Sequence, residues 1–279
     1  MALIKPEVYT QIVSAKFKEK VKLANLAVDL GEIEGFREVG ETIHFPKWKP
    51  MSNGVETVVK GTPIALDTLD QEDSTATIKF FGKGVRVFDI DDITSFGNHV
   101  QEGAIQSATL HARNFDNEIA KELQSSALKV ALANANAITN AELGKAMGLY
   151  GDEIDSSEFA GIVINSRLVE SFYNMAEFVD VNKSYVHENN GKQIVNGLIG
   201  YWRSIPVLVA DHNTYDTTKN ESITYLVKVG SVGFKTKRDF KTEVDRKAEL
   251  QCNDVYTTQI YATKLLKDDG VVICRKTIA

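Results

Sequence analysis

The longest regular pattern in the chain is a helical stripe of apolar residues within residues 91–132. Apolar side chains recur there every three or four positions, as on one face of an α-helix. The stripe comprises Ile93, Phe96, Val100, Ala104, Ala108, Ala112, Phe115, Ile119, Leu123, Ala127 and Val130. A helix of this length would span roughly 60 Å, which is about twice the diameter of a small domain. The apolar residues are spaced by about 3.7 residues on average, which does not suit a coiled coil. We predict one straight helix that lies across a sheet and is partly covered by another copy of the chain.

A second amphipathic helix is predicted near the N-terminus, where Pro6 suits a first helical turn. Its apolar stripe comprises Val8, Tyr9, Ile12, Val13, Phe17, Val21, Leu26 and Leu30, and its other face carries Lys16, Lys18, Lys20 and Lys22. Three interpretations stay open: a solvated basic face, which we favour, an arm that docks on a neighbouring subunit, and a membrane-surface helix. Interspersed acidic residues disfavour the last of these.

Between residues 40 and 90 the apolar pattern changes to period two, which indicates strands at 42–45, 76–80 and 85–87. Residues 48–73 lie between them and have too few large apolar residues to form a core. A loop of this length inside a compact domain usually has a function. We predict a two-stranded arm that projects from the body, and an isolated hairpin of this kind is marginally stable until it lies on another surface.

The C-terminal half alternates strands and helices. A buried strand is predicted at 159–164, a helix at 166–178, a tight loop leading into a strand within 197–211, and a further strand at 223–229. Together these predict a small α/β lobe. A return strand at 234–245 then precedes a predicted hairpin in which 257–266 pairs with 271–276 across Asp268, Asp269 and Gly270.

Composition excludes several classes of protein. The chain has 279 residues, of which 43% are hydrophobic and 25% charged, and this favours a folded protein with one large domain or two to three lobes. A net charge of −6 disfavours a protein whose main task is to neutralise nucleic-acid phosphates. No stretch has the ~20 apolar residues of a membrane span, and no signal peptide is recognised. We therefore expect the protein to act in the compartment in which it is made. Cys252 and Cys274 are expected to be buried free thiols.

Residues that could carry chemistry have structural explanations. Asp89, Asp91 and Asp92 precede the predicted long helix, and we interpret them as capping residues rather than a metal or acid–base site. The glycines at 82 and 84 are assigned to a turn between strands. The histidines lack the spacing of metal ligands, and no nucleophile motif is present, so no catalytic, cofactor or metal residues are assigned. The histidines are His44, His99, His111, His187 and His212.

The basic cluster in the return strand comprises Lys235, Lys237, Arg238 and Lys241. Acidic residues alternate with it and few aromatic side chains lie nearby. We therefore rank three interpretations of this cluster: side chains that are simply solvated come first, ion pairs between subunits second, and nucleic-acid binding last.

The order of these parts, together with five short motifs, resembles the major capsid proteins of tailed bacteriophages with the Hong Kong 97-like fold. The motifs are 40–43 (GETI), 77–89 (TIKFFGKGVRVFD), 112–116 (ARNFD), 200–211 (GYWRSIPVLVAD) and 237–243 (KRDFKTE). The resemblance covers nearly the whole chain and implies an α+β fold. The implied parts are an N-terminal arm (1–39), an extended hairpin loop (40–90), the spine helix of a peripheral domain (91–139), an axial domain (140–230) and C-terminal strands of the peripheral domain (231–279).

The resemblance implies a structural coat protein, not an enzyme, that forms hexamers and pentamers and encloses packaged double-stranded DNA, which it touches only non-specifically. It also implies a virion location, assembly in the host bacterial cytoplasm, and a portal and a separate scaffolding protein as partners, unless the chain is already processed. Some members form Lys–Asn cross-links, but no partner for Lys60 is identified. Two alternatives stay open: a two-lobed α/β small-molecule-binding protein or enzyme with its site near Asn165 or Gly197, and another phage structural protein.

Overall fold

The structure is a computed structural model that describes residues 5–32, 42–49, 55, 57–58, 60–61, 64, 66–94, 97–152, 154–180 and 197–278. The helices are α1 (Pro6–Lys20), α2 (Asp89–Thr94), α3 (His99–Gln124), α4 (Asn140–Gly148) and α5 (Val169–Tyr173). The strands are β1 (Ala27–Glu32), β2 (Thr42–Trp48), β3 (Gln71–Thr77), β4 (Lys79–Phe88), β5 (Leu128–Ala131), β6 (Phe159–Ile164), β7 (Phe178–Asp180), β8 (Leu198–Trp202), β9 (Ile205–Val209), β10 (Tyr215–Asp216), β11 (Glu221–Ser222), β12 (Thr224–Lys228), β13 (Val232–Lys247), β14 (Cys252–Leu265) and β15 (Val271–Arg275).

A four-stranded sheet in the order β1-β13-β14-β4 forms one half of the body. Its two long strands, β13 and β14, are antiparallel over the whole length of the pair, from Val232 opposite Leu265 to Lys247 opposite Cys252. α3 lies on one face of this sheet, and its buried side chains include Ala112, Phe115 and Ile119. The period-3.6 stripe thus packs onto a sheet, as predicted.

A seven-stranded sheet in the order β5-β15-β12-β6-β9-β8-β7 forms the other half. β8 and β9 are joined by a two-residue turn at Arg203 and Ser204, both with positive φ, which suits a tight hairpin. One hydrophobic core cluster contains Leu123 of α3, Leu265 of the first sheet and Tyr225 of the second, so α3 links the two sheets. The predicted strands at 159–164 and 223–229 are confirmed as β6 and β12.

The long helix is shorter than predicted at both ends. α3 has 26 residues, about 39 Å, because Gly97 has φ of +113° and the Asn98 side chain caps the first turn by accepting from the Gln101 N–H at 3.0 Å. Its C-terminal extension is a strand: β5 pairs in parallel with β15. Pairing with β15 overrides the helical spacing of Val130, and Ala127 lies between the end of α3 and the start of β5.

The predicted C-terminal hairpin is wrong. β14 pairs with β13 and β4, whereas β15 crosses to the other sheet and pairs with β12 and β5. The turn at Asp268–Gly270 therefore connects two sheets. The seven-stranded sheet also draws β5 and β15 from outside the predicted range 140–230, because short apolar strands do not reveal their partners. The predicted helix at 166–178 is reduced to a 3₁₀ turn (Ser166–Leu168) and α5, followed by β7.

The N-terminal segment packs on its own body over the residues that are described. α1 buries Tyr9 and Val13 in a cluster with Ala104, Ala108 and Phe240, and β1 pairs in parallel with β13. The Asp116 carboxylate accepts the backbone N–H groups of Lys22 and Leu23, which fixes the segment after α1. Residues 5–32 of the predicted arm 1–39 are thus part of the body, and Leu26 and Leu30 lie outside the helix.

Candidate assembly surface

A two-stranded hairpin leaves the body as the sequence predicted. β2 and β3 are antiparallel from Thr42 opposite Thr77 to Trp48 opposite Gln71, and they form a sheet of their own. We call residues 42–77 the finger. Buried and exposed residues alternate along β2, where Ile43 and Phe45 are buried, whereas Ala76 is the single buried residue of β3.

The base of the finger is anchored to the body. Ile43, Phe45 and Ala76 pack with Ala262 in one apolar cluster. The Lys47 ammonium lies 2.8 Å from the Asp268 carboxylate, and the Lys235 ammonium lies 5.4 Å from the centre of the Phe45 ring. Among the described residues, these contacts between the finger and its own body lie at the base of the finger.

The rest of the finger exposes apolar side chains to solvent. Leu66 is 92% exposed and Leu69 57%, and Val55, Val58 and Ile64 are also exposed. Scattered exposed apolar residues are ordinary, but several within one projecting segment indicate an interaction surface. The same stretch is acidic, with Asp67, Asp70, Glu72 and Asp73. An apolar and acidic surface of this kind suits a partner that offers both apolar area and positive charge.

The body that carries the finger is held by buried carboxylates. Burial alone would raise the pKa of Glu118, but hydrogen bonds from Lys121 (2.6 Å) and Lys79 keep its pKa below the ordinary value. This network ties α3 to the first residue of β4, directly after the finger. For Asp116 burial dominates and raises the pKa to about 6, although the Leu23 and Lys22 N–H groups oppose the shift. Nothing in the helical periodicity distinguished these carboxylates from solvent-exposed ones.

Two predicted turn glycines lie instead inside a strand. Gly82 and Gly84 belong to β4, which runs without a register shift opposite β14. A Cβ on Gly84 would lie 3.1 Å from the Tyr256 ring, and one on Gly82 would lie 3.3 Å from the Thr258 methyl group. These glycines make room for side chains on the neighbouring strand, which explains their spacing of two.

The clustered aspartates lie in a different helix from the one that they were predicted to cap. Asp89, Asp91 and Asp92 lie in the first turn of the short helix α2, and Asn98 caps α3. The Asp89 carboxylate binds the Arg246 guanidinium through two hydrogen bonds of 2.7 and 2.6 Å. The hydrogen bonds from Arg246 lower the pKa of Asp89. This ion pair connects α2 to the end of β13. Both oxygens of the Asp89 carboxylate accept hydrogen bonds from Arg246, so the carboxylate has partners without a metal ion.

One helix cap was not predicted, although its signature is present in the sequence. Thr139 and Glu142 form a capping box at α4, with the Glu142 carboxylate accepting the Thr139 N–H at 2.8 Å. The spacing Thr-x-x-Glu before an apolar run is the standard signal. It marks the start of the helix that covers one face of the seven-stranded sheet.

The remaining candidate residues do not converge. Within the described ranges no group of three or more His, Cys, Asp or Glu side chains could hold a metal, and no helix has the length and apolar content to cross a bilayer. His44 and Asp73 lie 3.5 Å apart on the exposed finger, and His111 is buried beside Phe240. His187 and Phe96 lie outside the described residues. Cys252 and Cys274 are buried free thiols, as predicted.

The predicted cluster of cations on β13 is divided among several contacts. Lys241 lies 2.5 Å from Glu243, and Arg238 donates to the Thr258 hydroxyl at 2.8 Å. Lys235 contacts the base of the finger, as described above. These contacts lie within one chain, so ion pairing between subunits through this cluster stays a prediction.

The two residues named for the alternative ligand site, Asn165 and Gly197, have structural roles in the described part of the chain. Asn165 is buried, its side-chain amide donates to the Thr214 hydroxyl at 2.9 Å, and its oxygen accepts the Arg167 N–H at 3.1 Å. Gly197 has φ of +80°, and a Cβ there would lie 2.7 Å from the Val209 carbonyl oxygen. The Asn165 side chain is thus used within the fold, and the backbone conformation at Gly197 favours glycine.

Comparison with known proteins points to one class. No protein-family model matches the chain. Its fold is shared with the capsid of cyanophage P-SCSP1u (TM-score 0.64, 13% identity, 94% of this chain and 89% of that one) and with the head of Helicobacter pylori bacteriophage KHP40 (TM-score 0.64, 13% identity, 93% and 91%). A virus-like particle from Pyrococcus furiosus is also similar (TM-score 0.62, 10% identity, 98% and 100%).

These likenesses define the class: the chain has the α+β fold of Hong Kong 97-like capsid proteins, as its sequence predicted. In sequence it is 24% identical, over 269 residues, to the major capsid protein of Staphylococcus phage phiMR11, across 96% of this chain and 91% of that protein. The resemblance inferred from the motifs is thereby confirmed, and it supports a structural protein of the head shell.

Proposed function

We propose that this chain is the major coat protein of a phage head, and that copies of it self-assemble into the shell. The observation that carries the proposal is the finger: its described contacts with its own body lie at the base, and Leu66 and Leu69 are exposed. The fold and the likeness to a phage major capsid protein support the same conclusion. The role is structural and not enzymatic.

The finger supplies much of the association energy in this proposal. Burying a leucine side chain is worth roughly 2 kcal/mol, which is about thirtyfold in an association constant. Every copy both gives a finger and receives one, so moderate contacts add up once the first has formed. Moderate contacts also let a misplaced subunit dissociate before the shell closes.

The finer features follow from the same architecture. Copies form hexamers and pentamers through the axial domain (140–230), and an anchored finger that pivots accommodates both kinds of ring. The net charge of −6 suits a wall that encloses double-stranded DNA without gripping it. The shell is part of the virion, is assembled in the bacterial cytoplasm, and has a portal and a separate scaffolding protein as partners.

Negative-stain microscopy of the recombinant chain over a range of concentrations and salts tests the proposal. We expect rings, tubes or shells from the unmodified chain, and dispersed subunits from the variant Leu66→Ser/Leu69→Ser at the same concentration. A control, Leu250→Ser/Ile278→Ser, changes exposed apolar residues outside both the finger and the axial domain and should assemble. A chain that stays monomeric under all conditions would refute the proposal.

A further inference from the structure

The outer edge of β4 is a long strand edge without a partner strand in the described part of the chain. β4 is the last strand of the four-stranded sheet, and it pairs with β14 alone, from Lys79 opposite Tyr261 to Phe88 opposite Cys252. Seven of its ten residues are exposed. A straight, exposed edge presents a row of free backbone N–H and C=O groups and acts as a template for another strand.

The charges on β4 select which strand can be added. Lys79 and Arg86 are engaged by Glu118 and Asp254 of the same chain, whereas no described hydrogen bond or ion pair involves Lys83, which is exposed. Pairing of two β4 edges would bring like charges together, and this is unfavourable. An acidic strand would instead be attracted.

β3 of the finger is such a strand. It is hydrogen-bonded to β2 on one side, and on its other side it is hydrogen-bonded to no strand among the described residues. It carries Glu72 and Asp73, and the finger adds Asp67 and Asp70 just before it. Glu72 is exposed and takes part in no described ion pair. The acidic edge of the finger and the basic edge of the body are thus complementary.

The two edges cannot meet within one chain. β3 ends at Thr77 and β4 begins at Lys79, so one residue, Ile78, separates them. Antiparallel strands in tight hairpins are usually joined by at least two residues. A β3 strand that covers the β4 edge would therefore come from another molecule.

We propose that β3 of one copy adds to the outer edge of β4 in a neighbouring copy, with Glu72 of the first near Lys83 of the second. The inference rests on the proposed function and names the surface on which the finger lies. The two edges are different surfaces, so the contact is head-to-tail and can repeat around a ring. The basic face of α1 is a weaker candidate, because Lys16 is already paired with Glu19 at 2.8 Å and a helix offers no free edge.

A charge swap tests the inference. Lys83→Glu and Glu72→Lys are made singly and together, and Lys129→Glu is the control, because Lys129 is an exposed lysine on the edge strand β5 of the other sheet. Assembly is followed by sedimentation and microscopy, and the melting temperature of dispersed subunits verifies folding. Charges act over several ångströms, so the test does not depend on the exact register.

We expect each single variant to raise the concentration needed for assembly by about fivefold, and the double variant to restore it to within about twofold. The control should assemble like the unmodified chain. Assembly of folded Lys83→Glu at the unmodified concentration, or a double variant no better than either single one, would overturn the inference while leaving the proposed function intact. Failure of the unmodified chain to assemble would overturn both.

Discussion

Replacing Asp116 by asparagine should make the stability of the subunit respond differently to pH. The Asp116 carboxylate is 2% exposed, and it accepts the Lys22 N–H at 3.2 Å and the Leu23 N–H at 2.9 Å. Burial is the main cause of its raised pKa, which is about 6 against an ordinary value of 3.8. The folded subunit therefore takes up this proton more readily than the unfolded chain does.

The sign and size of the effect follow from this difference. Because the folded-state pKa is the higher one, the stabilising contribution of Asp116 is fully present below about pH 3.8 and is lost as the pH rises through 6. One pKa unit corresponds to about 1.4 kcal/mol, so the whole contribution is of the order of 3 kcal/mol. The asparagine side chain of the variant cannot titrate, and it keeps one acceptor oxygen for the two N–H groups.

Urea unfolding of dispersed subunits between pH 4.5 and 7.5 measures the effect. The free energy of unfolding of the unmodified chain, minus that of Asp116→Asn, should grow by roughly 2 kcal/mol as the pH is lowered across this range. Taking the difference removes the opposing contribution of His111, whose pKa is lowered by burial and which destabilises the fold on acidification. An exposed control, Asp91→Asn, should follow the unmodified chain. Parallel curves for Asp116→Asn and the unmodified chain would refute the reasoning.

Three further predictions concern single features of the fold. Thr139→Ala removes the capping box of α4 and should lower the free energy of unfolding by about 1 kcal/mol in urea titration, whereas Thr139→Ser should retain most of it. Gly84→Val places a branched side chain where even a Cβ lies 3.1 Å from the Tyr256 ring, so we expect a loss of about 1–3 kcal/mol in the same assay, and Tyr256→Ala in the same chain should relieve part of it. Limited proteolysis should cut dispersed subunits within residues 48–73 before α3 is cut, and assembly should protect these sites; early cleavage in α3, or equal cleavage in shells, would contradict the finger as an assembly element.

Local pattern determined much of this protein. Alternation specified β2, an apolar spacing of three to four residues specified most of α3, and the order of the parts indicated the fold class. The predicted strand at 76–80 spans the end of β3 and the start of β4, so the bounds of β3 did not follow from alternation. These features depend on neighbours in the chain, so a sequence displays them directly.

The tertiary structure decided which strands pair and where the helices and strands end. Val130 continues the helical stripe but lies in β5. If this segment were helical, β15 would lose the parallel strand with which it pairs. Gly82 and Gly84 look like turn residues but lie under side chains of β14, and Asp116 looks like an exposed helix residue but holds the segment after α1. Each outcome depends on a partner many residues away, and the sequence does not state which distant surfaces meet.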